Sequence, residues 1–249
     1  MSLLQKIKNA CKYTAGFASE IMFNPALTCS ICRCDVFDER VFCEDCLKTL
    51  PYNNVCVCTK CGRKSKGNFE VCFTCKSDMP FYKEAKSAFV YDEPVSSLIK
   101  RLKYDNDKYI GDELAYFMAE AYIKYFFASD FLIPVPLHEK ALNARGYNQA
   151  LLLAEGVGKR LNVPVLDGVL IKHKESQRQA TLDKKERIEN LKNTFKVVDK
   201  KLIKGKDITV IDDVLTTGST VNEITRVLYA AGAGEVKVLT AASVPDIKI

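Results

Sequence analysis

The sequence lacks any apolar run long enough to form a membrane-spanning helix. Hydrophobic residues make up 47% of the chain, but they occur in short stretches, whereas about 20 consecutive apolar residues are needed to cross a bilayer. No secretory signal is evident among the 249 residues. These absences argue against a transmembrane segment and make disulfide bonds the weaker interpretation of the cysteines, because disulfides belong to oxidising compartments. We therefore expect a cytoplasmic protein.

Histidine is also scarce, and this limits the catalytic chemistry that the sequence suggests. His138 and His173 are the two histidines in the chain, and histidine is the most frequent general base in enzymes. Both lie in basic stretches, where a histidine is more often simply exposed. The sequence therefore offers no obvious general base and no obvious acceptor-binding residue.

Cysteine is abundant, and eight of the eleven cysteines form two tandem copies of one unit. Each copy has the pattern Cys-x2-Cys-x10-Cys-x2-Cys, and the second follows the first at an offset of 29 residues. Four thiolates satisfy the tetrahedral geometry of zinc and leave no position open for substrate. We predict two structural zinc sites, with these ligands: Cys29, Cys32, Cys43, Cys46, Cys58, Cys61, Cys72 and Cys75.

Two pairing schemes are compatible with this spacing. Sequential closure uses the four cysteines of each copy for one ion, whereas a cross-brace joins the first pair with the third and the second with the fourth. The repeat favours sequential closure because each copy is complete by itself.

Net charge gives no strong indication of a nucleic-acid partner. The formal charge is +6, and eight thiolates with two zinc ions together add −4, which leaves about +2. Local charge is more informative, since twelve Lys/Arg against five Asp/Glu lie between Lys172 and Lys206. Another basic cluster lies on the second cysteine unit, at Lys60, Arg63, Lys64 and Lys66.

The stretch from Asp207 to Thr220 combines a strand, a polar turn and a helix. Ile208 to Ile211 predict a short buried strand that ends at two acids. Apolar residues then recur at helical spacing from Val221 to Leu228. The turn therefore lies at a helix N-terminus, where backbone amides and the helix dipole favour a phosphate.

Each residue type in this turn has a chemical use. Asp212 and Asp213 are acceptors that suit a diol or the ligand shell of Mg²⁺. Gly218 allows the backbone to approach a bound group, and the hydroxyl residues supply donors. A phosphate site beside diol-binding acids describes a ribose 5-phosphate, and we expect the phosphate at Val214, Leu215, Thr216, Thr217, Gly218, Ser219 and Thr220.

A second strand-to-helix turn carries cationic and amide donors. The strand over residues 131–136 ends in prolines, and the loop from His138 to Gln149 contains Lys140 and Arg145. Such donors suit a pyrophosphate group. Residues 172–193 have almost no apolar period, so we predict a mobile flap over the site.

The order of elements predicts an α/β fold. A helix is expected over residues 111–127, and further short strands over 163–165, 169–171, 195–198 and 236–241. Strands alternating with helices indicate a parallel sheet that binds ligands at the carboxyl ends of its strands. We divide the chain into an N-terminal helix (1–27), a domain of the two cysteine units (28–80) and the sheet domain (81–249). The N-terminal helix packs on the protein itself or, as the alternative, lies on a membrane surface.

The stretch Val-Ile-Asp-Asp-Val-Leu-Thr-Thr-Gly-Ser-Thr resembles the phosphoribosyl pyrophosphate (PRPP) motif of type I phosphoribosyltransferases. The cysteine units, Val-Pro-Leu-His, Arg145-Gly-Tyr-Asn-Gln149 and Gln179-x-x-Leu182 precede it, and this order resembles the ComF (ComFC) family of competence proteins. The resemblance implies a double zinc ribbon on a type I phosphoribosyltransferase domain and a role in natural transformation. It also implies PRPP with Mg²⁺ as ligands, with Asp212 and Asp213 holding the ribose hydroxyls.

Two hypotheses for function follow from this resemblance. In the first, the protein is an Mg²⁺-dependent phosphoribosyltransferase with an unknown acceptor. In the second, it is a PRPP-responsive adaptor that binds single-stranded DNA and the import machinery, such as a helicase and membrane channel components at the inner face of the membrane. Four aromatic residues of the second cysteine unit and its C-terminal flank are candidates for base stacking, although we prefer to assign them to a small core: Phe69, Phe73, Phe81 and Tyr82.

Overall fold

The computed structural model describes residues 28–36, 41–65, 70–125, 128–174 and 193–246. The chain divides into two compact units, Met1–Thr49 and Leu50–Ile249. The expected helix over residues 1–27 and most of the predicted flap lie outside the described residues. The domain boundaries at 27/28 and 80/81 stay a prediction. The second cysteine unit lies in the same compact unit as the sheet.

The described part of the first unit is the first cysteine unit. An antiparallel bridge joins Thr28 to Asp35, and the turn between them contains Arg33 at a positive φ of 66°. Helix α1, Glu44–Thr49, carries the last cysteine of the copy. Cys29 and Cys46 are buried.

The second unit is built on a four-stranded sheet in which every pair of neighbours is parallel. The strands are β1 (Ala85–Val90), β2 (Phe131–Pro134), β5 (Ile208–Leu215) and β6 (Val236–Ser243), in the order β1-β6-β5-β2. The predicted parallel α/β sheet is confirmed. The central strands β5 and β6 are buried almost throughout, as expected where both faces of a parallel sheet are covered.

The length of β5 differs from the sequence prediction. The predicted end of the strand at the two acids is wrong, because β5 continues through both of them to Leu215. The reason is its pairing with β6, where Asp212 lies opposite Thr240 and Leu215 lies opposite Ser243. Ladder hydrogen bonds use the backbone, so polar side chains do not stop a strand that has a partner.

Helices flank the sheet. Helix α3 (Val95–Tyr104) is amphipathic, since Val95, Leu98, Ile99 and Leu102 are buried. The helix predicted over 111–127 is α4 and begins two residues earlier. The bounds of the helices in the second unit are α2 Phe73–Ser77, α3 Val95–Tyr104, α4 Tyr109–Lys124, α5 Glu139–Arg145, α6 Gln149–Leu161 and α7 Ser219–Ala230.

Two predicted strands do not join the parallel sheet. Strands β3 (Leu170–Lys172) and β4 (Phe195–Val197) pair with each other in antiparallel orientation and form a separate two-stranded sheet. The strand predicted over 163–165 is reduced to one bridge between Val165 and Leu132. The hydrophobic periodicity of a short apolar run does not identify the strand with which it pairs. For this reason the predicted and observed pairings differ.

The second cysteine unit packs against the sheet of its own compact unit. The amide of Ala85 donates to the Lys60 carbonyl at 2.8 Å. The backbone of this cysteine unit, which we call the second knuckle, therefore pairs with the start of β1. Gly62 has φ +66°, and a Cβ atom there would lie 2.3 Å from the Ala85 carbonyl oxygen. The contact therefore requires glycine, and the knuckle and strand are closely fitted. Among the described helices, none has the length and apolarity needed to span a membrane.

Candidate functional site

The candidate site lies at the carboxyl end of β5, where the two predicted acids have different environments. Successive strand residues point to opposite faces, and accordingly Asp213 is only 4% exposed whereas Asp212 is half-buried. A parallel sheet binds its ligands at this end. The strand, the turn and the helix follow one another in the predicted order, although the strand is longer than predicted.

Asp213 is held by side chains from two helices. Its Oδ1 lies 2.6 Å from Lys103 Nζ of α3, and its Oδ2 accepts a hydrogen bond of 2.7 Å from Gln149 Nε2 of α6. Arg145 in turn donates to Gln149 Oε1. These contacts connect the second polar turn to the acidic end of β5.

Lys103 is a site residue that the sequence prediction missed. It lies on an amphipathic helix among other basic residues, and nothing in its local pattern distinguishes it from the exposed Lys100. Gln149 was placed in the predicted pyrophosphate loop but was given no individual role. Only the tertiary structure assigns both side chains to Asp213.

Asp212 differs from Asp213 in its hydrogen-bond partner, and its pKa is raised. Its Oδ1 accepts a hydrogen bond of 2.8 Å from the Asp213 amide. Burial, together with repulsion from the Asp213 carboxylate, raises the pKa of Asp212 to about 7, although Lys103 and Lys172 oppose the rise.

The phosphate loop, which we define as Thr216–Thr220 and name after its predicted ligand, follows β5 and includes the first two residues of α7. Gly218 is the N-cap of α7 and has φ +80°, a conformation that favours glycine. The hydroxyl groups of Thr217 and Ser219 lie 2.9 Å apart. Thr216 and Thr217 are exposed, while Gly218, Ser219 and Thr220 are half-buried. The loop therefore offers hydroxyl and amide donors at the N-terminus of a 12-residue helix.

Val214 and Leu215 are predicted site residues that lie within β5 rather than in the loop. Leu215 is 2% exposed and belongs to the hydrophobic core, and Val214 is half-buried. Both pair with β6. We therefore expect any contribution of these two residues to phosphate binding to come from the backbone.

The predicted pyrophosphate residues lie on or beside α5. His138 is the N-cap of this helix, and its Nδ1 accepts from the Lys140 amide at 3.3 Å. Lys140 is exposed. Arg145, in the last turn of the helix, stacks its guanidinium over the Tyr104 ring at 5.3 Å. Arg145 is thus the predicted pyrophosphate residue that hydrogen bonds connect to Asp213, through Gln149.

A cavity of about 290 Å³ lies beside the phosphate loop. Thr217, Gly218 and Ser219 border one side, and Arg63 and Tyr82 border another. Tyr82 is 2% exposed, as expected for a core residue. Phe73 and Phe81 are 55% and 56% exposed, so the preferred assignment of all four aromatics to a small core is wrong for these two, and Phe69 lies outside the described residues.

The eight predicted ligands form two clusters, one from each cysteine copy. Within each cluster the four sulfur atoms lie within 4.8 Å of one another. This confirms sequential closure, because the cross-brace would mix the two copies. All four cysteines of the second cluster are buried, whereas Cys32 of the first is exposed. Amide groups also point at sulfur, with Cys72 N donating to Cys58 Sγ at 3.3 Å.

Both implied metals fit the residues present. Four converging thiols in each cluster suit tetrahedral zinc. Mg²⁺ prefers one or two carboxylates together with substrate oxygens, and the half-buried Asp212 carboxyl at the mouth of the site meets that requirement.

Comparisons with known proteins agree with this architecture. A family model described as phosphoribosyl transferase domain matches residues 148–247. Competence protein F of Haemophilus influenzae is 33% identical over 202 residues, which cover 79% of this chain and 86% of that protein. DNA utilization protein YhgH of Escherichia coli K12 is 27% identical, with 73% and 82% covered. Competence protein ComFC of Bacillus subtilis 168 is 26% identical, with 78% and 80% covered.

Proposed function

The chain belongs to the competence protein F family, and from this membership we propose that it serves DNA uptake or utilization by binding PRPP with Mg²⁺ and transferring its phosphoribosyl group. The observation that carries the proposal is the arrangement on β5 and α7. Two carboxyl groups lie near the end of the strand, and a glycine-containing hydroxyl loop begins the helix. This order matches the order of groups along a ribose 5-phosphate.

The proposed contacts follow from the chemistry of each group. Asp212 and Asp213 accept hydrogen bonds from the ribose hydroxyls, and the phosphate loop donates to the 5-phosphate. Arg145 is the proposed partner of pyrophosphate, because a guanidinium donates two parallel hydrogen bonds to phosphate oxygens. His138 and Lys140, at the start of the neighbouring helix α5, are proposed as additional donors.

The proposed reaction is a substitution at the anomeric carbon. The bond from this carbon to the pyrophosphate oxygen breaks as a bond to the acceptor forms, and pyrophosphate leaves with the electron pair. Bound Mg²⁺ would supply charge neutralisation on the leaving group. Lys103 holds the buried Asp213 carboxyl group in place, so that this group can orient the ribose.

Calorimetric titration of PRPP with Mg²⁺ tests the binding part of the proposal. We would compare the parent with Asp212→Asn and Thr217→Val, two changes in exposed or half-buried residues. Asp45→Asn, on the exposed face of α1, is the control. We expect at least tenfold weaker binding in the two site variants and no change in the control. A parent protein that fails to bind PRPP would overturn the proposal.

An adaptor function is the second candidate, and the exposed aromatic residues favour it. Phe73, Met79 and Phe81 are each more than half exposed, and unpaired bases stack on exposed aromatic rings at about 1–3 kcal/mol per base. In this case the protein holds PRPP without turnover and binds single-stranded DNA. It would act in the cytoplasm, at the inner face of the membrane where it meets helicase and channel components of DNA import.

Fluorescence anisotropy with a labelled oligothymidylate separates the two candidates. The double change Phe73→Ala and Phe81→Ala should weaken DNA binding about tenfold or more, whereas Ile123→Ala, another exposed apolar residue, should not. DNA binding without pyrophosphate release from PRPP, across a screen of acceptors, would favour the adaptor. Pyrophosphate release with any acceptor would establish the enzyme.

A further inference from the structure

Arg63 lies between the second cysteine cluster and the phosphate loop. It is only 8% exposed, and its guanidinium is directed at both. Its Nε donates to Cys61 Sγ at 3.4 Å, and its Nη1 donates to the Thr216 carbonyl oxygen at 3.3 Å. Its Nη2 lies 4.0 Å from Asp246 Oδ2. The rigid fork of a guanidinium can hold such partners in a fixed relation.

The first cysteine copy shows that this contact is not part of the knuckle itself. The two copies have the same backbone: the Cys29 amide donates to the Cys34 carbonyl, and the Cys58 amide donates to the Arg63 carbonyl. At the offset of 29 residues, Cys34 therefore occupies the place of Arg63. Arg63 is an addition specific to the second copy.

The residue before Arg63 also differs between the two copies, and here too the second copy is the one that contacts the sheet. Arg33 and Gly62 correspond, and both have φ +66°. Arg33 is exposed, whereas Gly62 is buried and a Cβ there would lie 2.3 Å from the Ala85 carbonyl oxygen. The two positions that follow Cys61 are thus the ones at which the second knuckle is adapted to the sheet and the loop.

Further contacts hold the same junction together. Asp246 accepts hydrogen bonds from the amide and hydroxyl groups of Thr74, at 3.3 and 3.0 Å. Lys60 Nζ donates to the Tyr82 carbonyl at 2.5 Å. The Tyr82 hydroxyl lies 3.5 Å from where a Cβ on Gly218 would stand. The phosphate loop is therefore packed against the knuckle on this side.

We propose that Arg63 is a positioning residue through which zinc bound at the second cluster holds the phosphate loop in its binding conformation. A metal-bound thiolate accepts a charge-assisted hydrogen bond. A hydrogen bond between a metal ligand and a neighbouring side chain fixes the orientation of one relative to the other. When the cluster loses its metal or its thiols are oxidised, Arg63 loses this partner and the Thr216 carbonyl is held less firmly. The consequence for PRPP affinity depends on the proposed function, but the consequence for the loop does not.

Amide hydrogen exchange of peptides covering the phosphate loop tests the coupling without any ligand. We would compare the parent, Arg63→Met, Arg63→Lys and Arg33→Met, the last being the same change at an exposed arginine beside the first cluster. Arg63→Met should raise exchange in the loop at least fivefold while both zinc ions stay bound by elemental analysis. Arg63→Lys, which retains one donor group, should restore part of the protection. Unchanged loop exchange in Arg63→Met would overturn the inference.

Titration of PRPP with Mg²⁺ then measures the functional consequence. We expect Arg63→Met to bind about tenfold more weakly, a loss typical of changes to residues that support a metal ligand, and Arg33→Met to bind like the parent. Cys75→Ser should have the effect of Arg63→Met. If Cys75→Ser fails to fold, Arg63→Met decides the matter. A parent that shows no PRPP binding contradicts the proposed function, while the exchange experiment still tests the coupling.

Discussion

Lys103 Nζ lies 2.6 Å from Asp213 Oδ1, and this ion pair joins helix α3 to the end of β5. The Lys103 side chain is 21% exposed and that of Asp213 only 5%. A carboxylate this deeply buried is stable in the charged form only when partners compensate for lost water. The pair therefore fixes the position of the Asp213 carboxyl group before any ligand arrives.

Replacement of Lys103 should expose this dependence. Lys103→Met leaves Asp213 with Gln149 as a partner but without its cation, and we expect a loss of about 2 kcal/mol in the free energy of unfolding, below the range for fully buried pairs because Lys103 is partly exposed. Urea denaturation measures the loss, with Lys100→Met on the same helix as the control. The double variant Lys103→Met with Asp213→Asn should recover part of the stability, because the unpaired charge is gone. A double variant less stable than Lys103→Met would contradict the explanation.

Gly62 provides a test of how closely the second knuckle fits the sheet. Gly62→Ala meets both a positive φ and a clash with the Ala85 carbonyl, so we expect destabilisation of more than about 2 kcal/mol. Gly168→Ala has a similar φ of +74° with open space around it, and it should cost only about 1 kcal/mol. Equal losses in the two variants, measured by urea denaturation, would show that the contact with β1 is not tight.

Zinc content tests the assignment of ligands in the first cluster. Cys34 Sγ lies 3.3 Å from Cys32 Sγ, yet Cys34 is not one of the four cysteines whose sulfurs converge. We expect Cys34→Ala to retain two zinc ions per chain, whereas Cys43→Ala should retain one, because a tetrahedral site needs all four ligands. Elemental analysis of the purified proteins gives the numbers directly. Loss of one zinc ion in Cys34→Ala would mean that Cys34 is a ligand.

The sequence was sufficient where a local unit is complete in itself. Each cysteine copy contains its own four ligands, and for this reason both the ligand sets and their sequential pairing were predictable. The turn between β5 and α7 was predictable because strand, turn and helix are consecutive from Ile208 onward. The extension of β5 to Leu215 was not, because it depends on pairing with β6, which follows later in the chain.

Contacts between distant segments were beyond the sequence pattern. Lys103 reaches Asp213 and Arg63 reaches Thr216, yet each lies in a basic stretch that looks like an ordinary solvated surface. The fold decides which of several similar cations is buried at the site. The exposure of Phe73 and Phe81 was misjudged for the same reason, since an aromatic residue in a small domain fits a core and a surface equally well.

The raised pKa of Asp212 predicts how stability depends on pH. An unfolded aspartate ionises near pH 4, whereas burial and the Asp213 carboxylate raise the pKa of Asp212 to about 7, against the opposing effect of Lys103 and Lys172. Between these values the folded chain retains a proton that the unfolded chain has released, so this group contributes stability that is full below pH 4 and is lost as pH rises through 7. Asp212→Asn carries no such proton. We expect its stability relative to the parent to increase between pH 4 and pH 7 by on the order of 2 kcal/mol, about half the full linkage value because the side chain is only half-buried. Urea denaturation of both proteins at several pH values, without ligand, measures the difference, and groups distant from Asp212 contribute equally in both proteins. A difference that does not vary across this range would show that Asp212 ionises normally in the folded protein.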